Sequence, residues 1–424
     1  MLKKNDNEVL CRVGPSTPMG ELFRRFWIPA LLKSEVGQAD GPPVRLRLLG
    51  EDLIAFCDTN GSIGILDAYC PHRKVHLFFG RNEECGLRCT YHGWKFDVTG
   101  QCVDMPSEPP DTNFAHKVKT KSYPVRIKGD VVWIYMGAPD KMPELPDFEW
   151  TRLPERQSGV IKRLQESNWA QAVEGGIDSS HLSFLHSRRD NNRVTSTGRQ
   201  FPSYALTDSH PVLDVKLTDY GFMVGARRDA EADTYYWRIS QYLLPAYSMV
   251  PATIAGHDSH NEPYIGHAWV PIDDYNTWVW TFSAFPARPM TREERIRLAA
   301  LDGLWGPLDE TYRPLLNRGN DYGLSREAQR TRTFSGIEGT ANQDAAVQES
   351  MGALVDRSQE RLGASDTAII TWRKMMLKLA KDLQAGVEPT APNDGNLYNC
   401  RSASAILPRN VDWAEASKYL TRPN

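Results

Sequence analysis

The stretch CPHRKVHLFFGRNEECGLRCTYHGW, residues 70–94, decides how the surrounding region folds. It contains two short pairs of metal-ligand residues, Cys70-Pro-His72 and Cys89-Thr-Tyr-His92, with 16 residues between them. A proline in the first pair and a glycine after the second favour tight turns, so each pair is predicted to present two ligands from one turn. The stretch therefore predicts a metal site carried on the loops of a small β domain.

Two cysteines and two histidines suit either a zinc ion or a two-iron cluster. Zinc sites more often pair like with like, as C-x2-C and H-x3–5-H. Here each turn carries one ligand of each kind, which favours a [2Fe–2S] cluster whose cysteines hold one iron and whose histidines hold the other. His76 and Cys85 are competing ligands, because the pairs His72 with His76 and Cys85 with Cys89 also have the spacing of two ligands to one metal. We interpret both as bystanders, and zinc stays the alternative.

A second polar pattern lies in NWAQAVEGGIDSSHLSFLH, residues 168–186, which is predicted to be helical. Asp178 and His181 can share one helical face, whereas His186 is turned about 140° away from His181 on an ideal helix. Both histidines can bind one ion only if the helix ends or unwinds, which we place after Ser183. Two imidazoles and one carboxylate form the facial triad of non-haem Fe(II) oxygenases, and the carboxylate is expected from elsewhere in the chain.

The two motifs, in this order and at this separation, resemble the oxygenase α-subunit of Rieske non-haem iron oxygenases. Around the first ligands the chain reads CPHR and YHGWKFD, and its ends read TPMGELFRRFWIPALL and RLGASDTAIITWRKMM, which are most similar to the phthalate dioxygenase branch. The chain departs from the family at Lys74-Val75-His76, where a small Gly-x-x segment is common. This departure concerns the packing beside the cluster rather than its ligation.

The resemblance implies the cofactors and the residues that hold them. A Rieske [2Fe–2S] cluster is expected on the two turns, and one mononuclear Fe(II) per subunit is expected on His181, His186 and Asp344, the last in ANQDAAVQES. Asp178 then stays free to orient His181 and to reach the cluster histidine of an adjacent subunit. Asn168 is predicted to be catalytic as well, and a structural position as a hydrogen-bonded or helix-start residue is equally expected for it. The same two interpretations apply to Glu174, on the same predicted helix.

The resemblance also implies partners. The chain has no GxGxxG fingerprint and no second cysteine cluster, so electrons are expected from a separate NAD(P)H-dependent reductase of the flavin and ferredoxin type. A homotrimer or stacked trimers would bring Asp178 between His92 of one chain and His181 of the next. The expected reaction uses O2 to hydroxylate or O-demethylate an aromatic carboxylate, either phthalate-like or methoxylated. Arg238 is the candidate for binding that carboxylate, whereas Arg227 and Arg228 are interpreted as a solvated turn.

The predicted fold class is α+β, with three parts. Residues 1–40 are expected to be a helical segment that packs on the catalytic domain, and 15–33 are predicted to form a short amphipathic helix. Residues 41–145 form the small antiparallel β Rieske domain, with two hairpins. Residues 146–424 form the catalytic domain, a curved antiparallel sheet packed with helices (helix-grip, START-like), which includes a long helix at 365–386.

Composition and charge limit the classes of partner and the location that the sequence predicts. With 50 basic and 53 acidic residues the net charge is -3, which indicates neither a nucleic-acid nor a membrane partner. No apolar run approaches the ~20 residues of a bilayer span, and no signal-peptide pattern begins the chain, so a cytoplasmic location is expected. Two other functions stay open: a zinc-stabilised structural or interaction protein, and a Rieske electron carrier without chemistry of its own.

Overall fold

A computed structural model describes residues 2–189, 204, 208–251, 263–299 and 306–422. The chain divides into two compact units, Val13–Pro143 and a larger unit formed by Met1–Arg12 with Glu144–Asn424. Both units are built on antiparallel sheets, and most of the helical residues belong to the larger one, so the α+β class is confirmed. In the part of the chain that the structure describes, none of the helices combines the length and the hydrophobicity of a membrane span.

Eighteen strands are present in these ranges. They are β1 Trp27–Leu32, β2 Val44–Leu48, β3 Glu51–Cys57, β4 Ile63–Asp67, β5 Arg81–Glu83, β6 Gly86–Arg88, β7 Lys95–Phe96, β8 Cys102–Asp104, β9 Val125–Lys128, β10 Val131–Tyr135, β11 Ser158–Gln165, β12 Val212–Thr218, β13 Gly221–Asp229, β14 Thr234–Leu243, β15 Tyr247–Val250, β16 Tyr264–Pro271, β17 Thr277–Ala284 and β18 Ala403–Pro408. The α-helices of the same ranges are α1 Lys4–Cys11, α2 Pro18–Phe23, α3 Lys33–Val36, α4 Trp169–Ile177, α5 Arg292–Ala299, α6 Arg326–Thr331, α7 Thr340–Ser350, α8 Thr367–Gln384, α9 Trp413–Ala416 and α10 Lys418–Thr421.

The smaller unit contains three small sheets, ordered β1-β10-β9, β2-β3-β4 and β5-β6-β7-β8. Both predicted hairpins are present: β2 turns into β3 at Leu49-Gly50, and β9 turns into β10 at Gly129-Asp130. All four turn residues have positive φ, as two-residue turns of the primed type require. The strands on either side of each turn are short and rich in β-branched residues. The sequence pattern was therefore sufficient to predict both hairpins.

The N-terminal prediction was wrong in part. The helix predicted over 15–33 is only α2, which Thr17 caps through its hydroxyl and which ends at Phe23. The apolar run that follows is strand β1, paired with β10. Residues 1–40 are therefore not one helical segment, because 1–12 belong to the larger unit and 13–40 to the smaller one. A fully apolar run of six residues lacks the periodicity that separates a buried strand from a buried helix.

The larger unit is organised around an eight-stranded antiparallel sheet in the order β11-β17-β16-β15-β14-β13-β12, with β18 paired to β14. Directly opposed residues of antiparallel strands point to the same face. One such face, which we call the inner face, carries Arg163 on β11, His267 on β16 and Arg238 on β14. Helices α4 and α7 cover this face, as the contacts described below show. The second domain predicted as a curved antiparallel sheet with helices is confirmed in this form.

The long C-terminal helix agrees with the sequence pattern. The predicted helix over 365–386 is α8, Thr367–Gln384, preceded by Asp366 and followed by Gly386 with a φ of 87°. Its apolar side packs Trp372 edge-on against Trp169 of α4, with ring centroids 5.4 Å apart. The regular spacing of apolar residues over five turns made this element predictable.

Candidate metal centres and active site

The second polar motif begins on α4, and the helix ends earlier than predicted. Asp178 is its C-cap, and a separate short 3-10 turn, His181–Ser183, follows. The prediction that the helix unwinds after Ser183 was therefore wrong by about six residues. Two adjacent glycines at the helix end explain the packing: a Cβ on Gly175 would overlap Gln348 of α7, and one on Gly176 would overlap the Trp269 ring of β16.

The early end of α4 lets both histidines face one point. His181 Nε2 lies 3.1 Å from His186 Nε2, and Asp344 Oδ1 of α7 lies 3.3 Å from His186 Nε2 and 3.9 Å from His181 Nε2. Ligands about 2.1 Å from a metal and at right angles to each other are about 3.0 Å apart. The three atoms therefore have the spacing of one triangular face of a metal coordination sphere. The structure brings together the three residues expected to hold iron.

Hydrogen bonds at the far side of each ring set the tautomers of the two histidines. His186 Nδ1 lies 2.7 Å from Gln343 Oε1, and the amide nitrogen of Gln343 donates to the Ile337 carbonyl at 2.8 Å. Because that amide oxygen can only accept, Nδ1 of His186 carries the proton. Likewise, Asp178 Oδ2 accepts from His181 Nδ1 at 3.2 Å. Both Nε2 lone pairs are thus free for a metal, and their partners orient the rings.

The charges at this point favour a cation. Burial raises the pKa of Asp344, but His186 and His181 outweigh it and lower the pKa to about 2. Asp344 is consequently a carboxylate at neutral pH. Burial has the largest single influence on the pKa of His186 and lowers it, but Asp344 and the hydrogen bond to Gln343 together outweigh burial and raise the pKa above its ordinary value. A divalent metal ion would displace a proton from the histidine and take over the balance of the carboxylate charge.

The first motif also converges, within the smaller unit. Cys70 and Cys89 are buried, while His72 and His92 are half-buried with ring centroids 4.5 Å apart. The hydrogen bond from Cys70 lowers the pKa of Cys89 to about 6, and the pKa of Cys70 is raised correspondingly. Backbone N–H groups of each turn also point at the sulfur atom of that turn, and they favour the thiolate that binds iron.

The two competing residues of this stretch have other contacts. His76 Nδ1 accepts a hydrogen bond from the Phe78 backbone N–H at 3.1 Å and caps a short 3-10 turn. Cys85 Sγ accepts from Asn60 Nδ2 at 3.2 Å. Their side chains thus contact local turns, and this placement agrees with the interpretation of both residues as bystanders.

Comparison with known families decides the identity of both units. Residues 26–124 match the Rieske [2Fe-2S] domain family, and residues 134–422 match the family described as LigXa C-terminal domain like. The chain is 40% identical to the phthalate 4,5-dioxygenase oxygenase subunit of Pseudomonas putida, over 98% of this chain and 94% of that one. This chain belongs to the Rieske non-haem iron oxygenases.

Further relatives support the same placement. The oxygenase subunit of 3-chlorobenzoate-3,4-dioxygenase from Comamonas testosteroni is 39% identical over 98% of both chains. The oxygenase subunit of 5,5'-dehydrodivanillate O-demethylase from a Sphingobium strain is 32% identical over 92% of this chain and 83% of its own. Dicamba monooxygenase shares the fold, with a TM-score of 0.62 at 17% identity over 86% of this chain and 99% of that one.

Membership of the Rieske oxygenases has direct consequences. The protein is an enzyme, the oxygenase subunit of a Rieske system in the phthalate dioxygenase-like branch, and it carries a Rieske [2Fe–2S] cluster and a mononuclear iron. Subunits of this kind receive electrons from separate reductase or ferredoxin partners, and one fold neighbour is a complex of oxygenase and ferredoxin. The zinc-stabilised protein and the pure electron carrier are not supported.

Two residues of the second motif have structural positions in this oxygenase. Asn168 is fully buried and caps α4: its oxygen accepts from the Ala170 N–H, and its amide donates to the Cys11 and Asp274 carbonyls. These bonds place Asn168 at the start of the helix, which is the structural one of its two expected positions, and its catalytic role stays a prediction. Glu174 is buried and bonded to Arg357 and Arg373, so it does not join Asp178 at the metal centre.

The arginines of the sheet differ from the prediction. Arg227 and Arg228 are not in a solvated turn but in strand β13, and Arg228 is 1% exposed and donates to the Ser179 carbonyl at 3.0 Å. Arg238 is buried on the inner face and donates to the Pro251 carbonyl at 2.9 Å. Burial lowers its pKa to about 10, so it stays cationic at neutral pH, and its charge lowers the pKa of His186.

Sequence reasoning missed two inner-face residues, Arg163 and His267. His267 Nδ1 lies 3.1 Å from Thr281 Oγ1, and burial, together with Arg163, lowers the pKa of His267 to about 4. His267 is therefore neutral at pH 7. Neither residue lies in a recognisable sequence motif. Pairing between strands that are distant in the sequence brings both residues to the inner face. Period-two alternation along β11 and β16 would have shown the face of each side chain, but not what covers that face.

Proposed function

We propose that this chain is the terminal oxygenase that uses O2 and reductant from an NAD(P)H-dependent reductase to hydroxylate or O-demethylate an aromatic carboxylate. One observation supports it above all others. His181, His186 and Asp344 offer three ligand atoms that all lie within 4.8 Å of one another. Among the described residues, this group of possible metal ligands has three members and not four. Three protein ligands on one face leave positions for O2 beside a substrate, which is the arrangement of O2-activating non-haem iron sites.

The cofactor ligands are part of the same proposal. Cys70 and Cys89 would hold one iron of the Rieske cluster, and His72 and His92 the other. The two histidines are the less buried pair, so electrons would enter and leave at that end. The mononuclear iron would bind at His181, His186 and Asp344, with Gln343 and Asp178 orienting the rings. Bound there, iron supplies the activation of O2, and the protein supplies the geometry.

Electron transfer between the two centres is proposed to cross a subunit boundary. Asp178 Oδ2 already accepts from His181 Nδ1, while Oδ1 accepts from the Ser180 backbone N–H at 2.6 Å. The same carboxylate would receive a hydrogen bond from His92 of a neighbouring subunit, within a homotrimer or stacked trimers. Activity would then require the oligomer, in the cytoplasm, where NAD(P)H is available.

The substrate carboxylate is proposed to bind at Arg238. This guanidinium is buried, cationic at neutral pH and close enough to His186 to influence its pKa. A charge-assisted, bidentate contact with a carboxylate would compensate its desolvation. Two of the relatives at about 40% identity are named for aromatic acids, phthalate and 3-chlorobenzoate. A third relative, 32% identical, is named as an O-demethylase of 5,5'-dehydrodivanillate, so both hydroxylation and O-demethylation belong to the proposal.

The test combines metal analysis with product analysis. The purified protein should hold one cluster and one further iron per chain, and a surrogate reductase with NADH should convert members of a panel of benzoate, phthalate, chlorobenzoate and methoxybenzoates. Asp344→Ala should lose the single iron and keep the cluster absorption, whereas Cys89→Ser should lose the cluster. Stoichiometric zinc, or turnover of neutral aromatics in preference to every acid, would contradict the proposal.

A further inference from the structure

A buried tyrosine and a buried glutamate form a hydrogen-bonded pair beside helix α7 and have no role in the proposed function. Tyr322 Oη donates to Glu349 Oε2 with 2.5 Å between the two oxygen atoms, and Glu349 Oε1 accepts from the Glu166 backbone N–H at 3.0 Å. Tyr322 is 9% exposed and Glu349 is 5% exposed. An O–H···O distance this short is typical of a hydroxyl that donates to a carboxylate. The proton of this phenol therefore has an acceptor already in place.

The acceptor distinguishes Tyr322 from a buried tyrosine of β14. Tyr242 donates to the Pro245 backbone carbonyl, which accepts a hydrogen bond but does not take up a proton near neutral pH. Burial and the hydrogen bond to Glu349 raise the pKa of Tyr322, so its phenol is protonated under the same conditions. Tyr322 can therefore lose an electron and a proton together, whereas the carbonyl bonded to Tyr242 offers no base.

The pair lies next to the proposed metal ligand of α7. The Tyr322 ring belongs to one buried cluster with Ala345, the residue that follows Asp344. Consecutive Cα atoms are about 3.8 Å apart, and the five residues from Asp344 to Glu349 rise about 7.5 Å along the helix. The phenol is therefore on the order of 10 Å from the Asp344 carboxylate, close enough for one electron-transfer step. In agreement, Asp344 and Tyr322 both influence the pKa of Arg163.

The backbone holds Tyr322 in a conformation that few residues adopt. Asp321 and Tyr322 have φ angles of 50° and 56°, in the left-handed region that residues other than glycine rarely occupy. Arg318, at the start of the same turn, donates to the Glu349 carbonyl at 3.0 Å and ties the turn to α7. Strained residues of this kind persist only where the surrounding structure determines them, and they are concentrated at functional sites. The fold thus fixes the phenol against its carboxylate.

We propose that Tyr322 is a protective electron donor to the mononuclear iron, with Glu349 as the acceptor of its proton. This inference rests on the proposed iron ligands His181, His186 and Asp344. When O2 has oxidised the iron centre and no substrate is in place, one electron passes from the Tyr322 phenol to that centre and reduces it. The phenol proton moves along the hydrogen bond to Glu349 Oε2, which leaves a neutral tyrosyl radical and a protonated glutamate. One electron from the reductase and the proton on Glu349 then restore the phenol.

Freeze-quench electron paramagnetic resonance of the iron-loaded full-length protein tests this step without turnover. The protein would be reduced chemically, mixed with O2 in the absence of any aromatic acid, and frozen at increasing times. Wild type should show a radical whose hyperfine splitting collapses when the protein contains ring-deuterated tyrosine. Tyr322→Phe should lose that signal. Glu349→Gln should form it about a hundredfold more slowly, because a positioned proton acceptor typically contributes about 10²–10⁴-fold.

Oxidative damage gives a second readout of the same step. After repeated cycles of reduction and exposure to O2 without substrate, peptide mass analysis would measure the addition of oxygen to His181 and His186. Tyr322→Phe should show this mass shift in a larger fraction of both histidines than wild type does, because nothing else discharges the oxidised centre there. Equal damage in the two proteins would overturn the protective role.

The controls separate this inference from the proposed function. Tyr242→Phe removes a buried phenol without a base and should leave the radical signal unchanged. An iron-loaded wild type without a tyrosyl radical, or a signal that persists in Tyr322→Phe, would overturn the inference alone. Loss of iron from both Tyr322→Phe and Glu349→Gln would also overturn it, because the pair would then serve to hold α7. If Asp344→Ala keeps the single iron, the proposed iron site fails, and this inference fails with it.

Discussion

Replacing Glu174 by Gln tests the buried ion network under α4. Glu174 Oε1 accepts from Arg357 Nε at 2.9 Å and from Arg373 Nε at 2.7 Å, and Oε2 accepts from Arg357 Nη2 at 3.1 Å. The Arg357 side chain is 0% exposed. Its other contacts, Asn7 Oδ1 and Cys11 Sγ, are uncharged. Glu174→Gln therefore leaves a fully buried guanidinium without a carboxylate partner.

The expected decrease in the free energy of unfolding follows from the loss of this ion pair. Removing one partner of a buried ion pair costs about 3–5 kcal/mol. For a unit of this size, 1 kcal/mol changes Tm by about 2–3 °C, so Tm of the larger unit should fall by about 6–15 °C. Scanning calorimetry of the purified protein measures this directly. Below the transition the variant should keep its iron, because Glu174 does not touch the metal centre.

The pH dependence gives the network a second signature. Burial raises the pKa of Glu174, but Arg357 and Arg373 outweigh it and the folded-state pKa is lowered. A lowered carboxyl pKa stabilises the folded state above the ordinary value, and that stability is lost as the pH falls through the folded value. The Tm difference between wild type and Glu174→Gln should thus persist from neutral pH to about pH 4 and shrink below it.

A surface pair provides the matched control. Glu8, on α1, accepts a hydrogen bond from Arg12 Nε at 2.7 Å, but the Glu8 side chain is 53% exposed. Glu8→Gln should cost at most about 1 kcal/mol. A Tm change in Glu174→Gln no larger than that of Glu8→Gln would refute the reasoning. Loss of iron at low temperature would equally show that Glu174 has a role at the metal centre.

Three further substitutions address the metal centre. Gly176→Ala forces a Cβ into the Trp269 ring and should destabilise the protein by about 1–3 kcal/mol with partial loss of the single iron; an unchanged Tm would contradict the packing argument. Gln343→Met removes the acceptor of His186 Nδ1 and should lower iron affinity ten- to a hundredfold in a competitive chelator titration, whereas unchanged affinity would exclude an orienting role. Asp178→Asn should retain both metal centres but slow reoxidation of the reduced cluster in single-turnover stopped-flow absorption, and normal reoxidation would argue against the proposed electron route.

Much of the smaller unit follows from local sequence. Each ligand pair spans three or four residues, so one turn places both ligands whatever surrounds it, and the hairpins at Gly50 and Gly129 are likewise determined by their turn residues. Strand β1 was mistaken for helix because a short, fully apolar run has no period to read. The spacing of His181 and His186 required a break in the helix, although it did not locate the break at Ile177.

The convergence of the catalytic unit depended on packing between distant segments. Asp344 could be proposed only from the family resemblance, since no local pattern joins it to residues more than 150 positions away. Close packing of Gly176 on Trp269 sets where α4 lies, and strand pairing sets which face Arg163 occupies. The ligand types, the cluster motif and the hairpins could be read from the sequence, because turns and short ligand pairs are local. Which charges face the metal could not be read in this way, because that depends on the elements that cover each side of the sheet.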